Sequence, residues 1–170
     1  MEIFCRDEQL NLSAKYLKPG FAFGGSCLPK DVRALTFRAR ELDVAVPLLD
    51  SLLASNALQV RRVVDTLLGW KARKLGFLGL SFKGGTDDLR ESPIVDVVET
   101  MIGKGYDVRI YDPNVSLARL FGANKEYIEK EIPHIDRIIA KTLDEVLQHA
   151  DVLVVGNSND EFQRALASPR

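Results

Sequence analysis

Lys71-Ala72-Arg73-Lys74-Leu75-Gly76-Phe77-Leu78-Gly79-Leu80 is the stretch that decides the fold. A cluster of charge gives way to a short apolar run, which ends among glycines. A run of that length, bounded in that way, reads as a strand buried on both faces. Two more strands follow, Tyr106-Asp107-Val108-Arg109-Ile110-Tyr111-Asp112 and Asp151-Val152-Leu153-Val154-Val155-Gly156-Asn157. Helical patterns separate them. Ser92 and Pro93 suit the N-cap and first position of a helix. That helix carries Ile94, Val97, Val98, Met101 and Ile102 and stops at Gly103-Lys104-Gly105. Leu143 to His149 reads as another helix, and a further one is expected near Asp160–Ala167. Strand, helix, strand, helix, strand predicts a parallel sheet with right-handed crossovers. The span 114–141 is the least legible, with a helix expected near Lys125–Lys130. Three parallel strands have poorly covered edges, so more sheet is expected to follow and the chain reads as a fragment.

Upstream of Lys71 the pattern is helical. Leu49, Leu52, Leu53, Val60, Val63, Val64, Leu67 and Leu68 recur at spacings of three and four from Pro47 to about Trp70. That spacing marks one apolar face. At ~1.5 Å per residue the helix spans roughly 33 Å, a length suited to joining domains or forming a dimer seam. Trp70 reads as a plug at its end. An earlier helix is expected from about Pro29 to Leu42, with Val32, Leu35, Phe37 and Leu42 among its apolar positions. The fold class is therefore α/β. A helical segment with a long connecting helix occupies residues 1–70, and an incomplete Rossmann-like parallel-sheet domain occupies 71–170.

Composition narrows the function. Among 170 residues, 23 Lys and Arg stand against 24 Asp and Glu, a net charge of −1. No basic stripe marks a nucleic-acid surface. No apolar run approaches the ~20 residues of a membrane span. The opening Met1-Glu2-Ile3-Phe4-Cys5-Arg6-Asp7 lacks the signature of a signal peptide. Two cysteines, Cys5 and Cys27, make no disulfide framework and suit a reducing cytoplasm. His134 and His149 have no partners at ligand spacing, so no metal site is expected.

Two loops could carry chemistry. The first is Phe23-Gly24-Gly25-Ser26-Cys27-Leu28-Pro29-Lys30-Asp31. Its glycines allow close approach by a ligand. A helix starting after Cys27, with Lys30 one turn on, favours the thiolate. Asp31 could hold a water or accept a proton. The plainer reading is that Cys27 is a small packed hydrophobe. The second loop is Gly79-Leu80-Ser81-Phe82-Lys83-Gly84-Gly85-Thr86-Asp87-Asp88-Leu89-Arg90-Glu91-Ser92-Pro93, at the carboxyl end of the first strand, where parallel sheets bind ligands. Lys83 and Arg90 could meet phosphates. Its plainer reading is a solvated loop in which Asp87, Asp88 and Arg90 pair among themselves. No G-x-G-x-x-G occurs, which disfavours the cofactor domain of some other oxidoreductase.

Taken together, the two loops resemble the cysteine motif and C-terminal signature of the nucleotide-sugar 6-dehydrogenases, the UDP-glucose/GDP-mannose dehydrogenase family. Tyr16-Leu17-Lys18-Pro19-Gly20-Phe21-Ala22-Phe23 and Gly122-Ala123-Asn124-Lys125-Glu126-Tyr127-Ile128 look most like the branch that oxidises GDP-mannose. The resemblance implies oxidation of a sugar C6 alcohol to a carboxylate, by two hydride transfers to NAD through a cysteine thiohemiacetal and thioester. It implies that Cys27 is the nucleophile and that Asp31 assists water or proton movement. Lys30 and Arg90 would contact NAD. Phe21, Gly24 and Lys83 would bind the nucleotide sugar. Tyr16 and Lys18 would reach the substrate of the other subunit in a homodimer. Lys18 stands where that branch has Arg, exchanging a planar fork for a point charge. The family's N-terminal NAD domain has no counterpart here, so the isolated chain is expected to be inactive. The alternatives are a UDP-glucose enzyme and a non-catalytic nucleotide-sugar-binding or dimerisation module.

Overall fold

Strand β1 (Lys74–Leu78) is the centre of a three-stranded parallel sheet in the computed structural model, which describes residues 6–7, 20–82, 85–115, 126, 128, 130 and 135–167. β2 (Asp107–Tyr111) and β3 (Val152–Val155) flank it, in the order β2-β1-β3. Phe77 stands opposite Ile110 on one side and Val154 on the other. The β2 edge is extended beyond β2 itself. Ile139 bridges to Ile110, and the Ala140 N–H donates to the Ile110 carbonyl at 2.7 Å.

The alternation of side chains along β1 sorts its residues onto two covered faces. Leu75 and Phe77 join the core built with α2 (Pro47–Gly69) and α3 (Pro93–Gly103). Gly76 and Leu78 face the opposite way. Leu78 packs with Val146 of α5 (Leu143–His149) and Phe162 of α6 (Asp160–Ala167), a short α4 (Ile135–Ile138) preceding them. A Cβ on Gly76 would fall 2.6 Å from Val146 Cγ1 and 2.8 Å from Ala150 Cβ, so the glycine lets α5 lie close against the sheet. Helices on both faces explain why the predicted strand is wholly apolar.

Element positions follow the apolar spacing closely. Glu126, Ile128 and Lys130 are helical, where a helix was expected. One local expectation fails, at Trp70, and at two other places tertiary contacts decide what the side chains do. Ser92 occupies the N-cap of α3, but its buried hydroxyl does not cap the helix. It donates to the Leu80 carbonyl at 2.6 Å, at the end of the central strand. Trp70 is no plug. The chain turns extended there to enter β1, and the ring is 49% exposed. In α1 (Leu28–Glu41), Val32 and Thr36 share the inner face one turn apart, while Leu35, Phe37 and the following Leu42 lie exposed. Among the described residues, no helix is long and apolar enough to cross a membrane, and no group of three or more His, Cys, Asp or Glu could hold a metal ion.

Candidate active site

Two loops far apart in sequence meet at Cys27. The first runs from Gly20 to the start of α1. Asn56 of α2 holds it by its backbone: Asn56 Oδ1 accepts from the Phe23 N–H at 2.8 Å, and Asn56 Nδ2 donates to the Phe23 carbonyl at 2.8 Å. The second runs from Gly79 to Pro93. Contact between them requires glycine. A Cβ on Gly24 would sit 2.1 Å from the Glu91 carbonyl oxygen and 2.7 Å from Pro93 Cδ. Gly25 has φ +86°, donates its N–H to the Arg90 carbonyl at 3.1 Å, and lies under the Phe82 ring. Glu91 has φ +49°, a left-handed conformation that costs a non-glycine residue energy and is held here by the docked loop. Its side chain also pairs with Arg33 of α1, which raises the Arg33 pKa.

Cys27 is the N-cap of α1 and is exposed. The sulfur therefore sits at the positive end of a 14-residue helix, whose first N–H groups lack partners within the helix. Ser26 Oγ lies 3.8 Å from Cys27 Sγ. Arg90 binds Asp88 through a fork, Nε to Oδ1 and Nη2 to Oδ2, each at 2.9 Å. The Arg90 bond holds the Asp88 carboxyl below the ordinary carboxylate range, and a hydrogen bond with the Ser26 side chain adds to this against the opposing effect of burial. Asp88 in turn raises the Arg90 pKa, and the Cys27 charge adds to the effect. Thiol, hydroxyl, carboxylate and guanidinium thus form one polar group beside a cavity of about 300 Å³. That cavity is lined by residues 22–28 and Phe82.

The predicted site residues divide into three groups. Cys27, Gly24 and Arg90 are brought together. Lys30 and Asp31 lie on the next turn of α1, paired with each other at 3.3 Å and mostly exposed. Phe21 lines a second cavity of about 390 Å³, with Leu52, Ser55, Asn56 and Gln59 of α2. Tyr16, Lys18 and Lys83 lie outside the described residues. The pairing of Asp88 with Arg90, the plainer reading of the second loop, is present. Sequence reasoning missed Asn56, Phe82 and the Arg33–Glu91 pair. Asn56 had a signal: it is a polar residue on the apolar face, between Leu52 and Leu53 and then Val60 and Val63.

Residues 1–58 match the central domain of the UDP-glucose/GDP-mannose dehydrogenase family and residues 76–168 match its UDP binding domain, and the chain belongs to that family. It is 58% identical over 162 residues to the GDP-mannose 6-dehydrogenase of Pseudomonas aeruginosa, covering 95% of this chain and 37% of that relative. It is 55% identical over 168 residues to the same-named protein of Pseudomonas syringae pv. syringae, covering 99% of this chain and 38% of that one. A crystal structure of a ternary complex of GDP-mannose dehydrogenase from P. aeruginosa superposes with a TM-score of 0.84 at 56% identity, covering 99% of this chain and 39% of that one. The chain spans less than two fifths of the length of each of these relatives.

Proposed function

We propose that this chain is the cysteine-bearing and nucleotide-sugar-binding part of an NAD-dependent GDP-mannose 6-dehydrogenase. Residues 1–70 would be the end of a central dimerisation domain, and 71–170 a nucleotide-sugar-binding domain of a cytoplasmic homodimer. The observation that carries the reading is an exposed thiol at a helix N-terminus, in a loop docked by way of Gly24 and Gly25 onto the Glu91 and Arg90 carbonyls. Relatives at 55–58% identity carry the GDP-mannose 6-dehydrogenase name, which favours that substrate over UDP-glucose.

Cys27 Sγ would add to the C6 aldehyde as a thiolate. Oxidation of the resulting thiohemiacetal leaves a thioester on Cys27. Asp31, one turn away, would orient the water that hydrolyses it. Lys30 and Arg90, paired with Asp31 and Asp88, are the cations that would meet the anionic diphosphate of NAD, which when bound would supply the hydride acceptor. Phe21, Gly24 and Lys83 would hold the nucleotide sugar, with Tyr16 and Lys18 reaching toward the other subunit's substrate. The carboxyl ends of β1 and β3 meet where the strand order reverses, the crevice in which parallel sheets bind ligands.

Thermal unfolding with GDP-mannose, UDP-glucose and the free nucleotides tests the reading. A ligand at ~100 times its dissociation constant adds about 2.7 kcal/mol. Stabilisation by guanosine ligands supports it, and stabilisation by uridine ligands moves the substrate to UDP-glucose. No response to any of them overturns binding by this chain.

A further inference from the structure

Asp112 lies 85 positions beyond Cys27, just after β2, and is 7% exposed. Its Oδ2 accepts from the Leu80 N–H at 2.8 Å, the Ser81 N–H at 3.3 Å and the Ser81 hydroxyl at 3.5 Å. Its Oδ1 accepts from the Asn114 N–H at 2.9 Å. From the β3 side, Asn157 Nδ2 donates to Ser81 Oγ at 3.0 Å. The other end of the loop returns to the same peptide, because the Ser92 hydroxyl donates to the Leu80 carbonyl at 2.6 Å. Leu80 is therefore pinned at its N–H by Asp112 and at its carbonyl by Ser92. The loop between is closed at its root like an Ω-loop. What it carries is one wall of the cysteine site: Phe82 over Gly25, the Arg90 carbonyl on the Gly25 N–H, and the Glu91 carbonyl against Gly24.

We propose that Asp112 is a positioning residue for the cysteine site, its buried carboxylate fixing the root of the 79–92 loop and so holding the Arg90 and Glu91 carbonyls against Gly25 and Gly24, next to Cys27. The proposal rests on reading Cys27 as the nucleophile. A carboxylate suits the place because it only accepts hydrogen bonds, and both of its oxygens face N–H donors. An asparagine of the same shape would turn its NH2 toward one of those donors and release one end of the clasp.

Alkylation of Cys27 by iodoacetamide, followed peptide by peptide so that Cys5 is scored apart, tests this without any nucleotide. In Asp112→Asn the Cys27 rate at neutral pH should change roughly threefold or more and its pH profile should depart from the parent's, because the loop wall beside the sulfur has moved. Ser92→Ala loosens the same clasp from its far end and should shift both readouts the same way by less. Phe162→Leu, in the core under α6, should lower stability and leave the Cys27 profile in place. Unchanged Cys27 profiles in both clasp variants overturn the proposal, as does an equal shift in Phe162→Leu. Failure of the nucleotide-binding test would break the functional reading alone, because this comparison uses no ligand.

Discussion

In β1 and α3, Leu75, Phe77, Leu78, Val95, Val97, Val98 and Met101 have no exposed surface, whereas in α1 and α2 and the turn between them Leu35, Phe37, Leu42, Leu48 and Leu58 are each more than half exposed. Both regions are rich in apolar residues, and the difference lies in what covers them. The sheet has helices on both faces, so Leu75, Phe77 and Leu78 of β1 each meet a neighbour whichever way they point. α1 and α2 pack on each other, and α2 reaches the main core through its second half, at Val60, Val63, Val64 and Leu67. Apolar spacing thus reports which way a face points, but not whether anything stands opposite it. The loop contact at Cys27 joins the well-packed region to the exposed one, and its geometry comes from the well-packed side.

Truncation should widen this contrast most. Phe77→Ala is expected to cost about 3–5 kcal/mol in urea unfolding, while Phe37→Ala should stay within about 0.5 kcal/mol of the parent. Comparable losses at the two positions would erase the comparison. Next comes Gly24→Ala, which forces a methyl onto the Glu91 carbonyl. About 1–3 kcal/mol of lost stability is expected, as in overpacked sites, together with a changed Cys27 alkylation rate. A silent Gly24→Ala would mean the two loops do not depend on each other. Asn56→Ala leaves the Phe23 N–H and carbonyl without their partner, at about 1–3 kcal/mol if both stay shielded from water. Limited proteolysis should then cut first within residues 20–27, and cleavage elsewhere would place the weak point outside this loop.

The smallest effects are in pH dependence, and they have opposite signs at the two sites. Asp88 has a lowered pKa, chiefly through Arg90, so its folded state binds fewer protons than its unfolded state in acid. Its contribution is present above the ordinary carboxylate value and is lost as pH falls through the lowered one. Asp88→Asn should flatten the acid limb of stability. Tyr111 has a raised pKa, from burial first and then from Glu161, which accepts its hydroxyl at 3.2 Å. Its contribution is present below the ordinary phenol value near 10 and is lost as pH rises through the raised one. Tyr111→Phe should flatten the alkaline limb. Chemical denaturation across pH separates the two, and identical curves for parent and variants would remove both assignments.

Much of this was legible in the amino-acid order. Cys27, the glycines before it and the Pro29 after it are contiguous, so a thiol at a helix start could be read directly. Asn56 was visible as a polar interruption of an apolar stripe. Arg90 was legible as a cation in a ligand-facing loop, but not its fork on Asp88. Ser92 was legible as the N-cap of α3, but not its hydroxyl's bond to the Leu80 carbonyl, which burial beside that carbonyl decides.

Residue order was enough for the alternation of strands and helices, the parallel sheet, the long helix and the two glycine-bearing loops. Those properties follow from apolar period, from glycine and proline, and from residue types set side by side, all of them local. Tertiary structure alone decided that β1 is the central strand, that Gly24 touches Glu91, that Arg90 stands by Cys27, and that Asp112 clamps the loop between them. Each of these depends on atoms dozens of residues apart brought within a few ångströms, and only close packing supplies that.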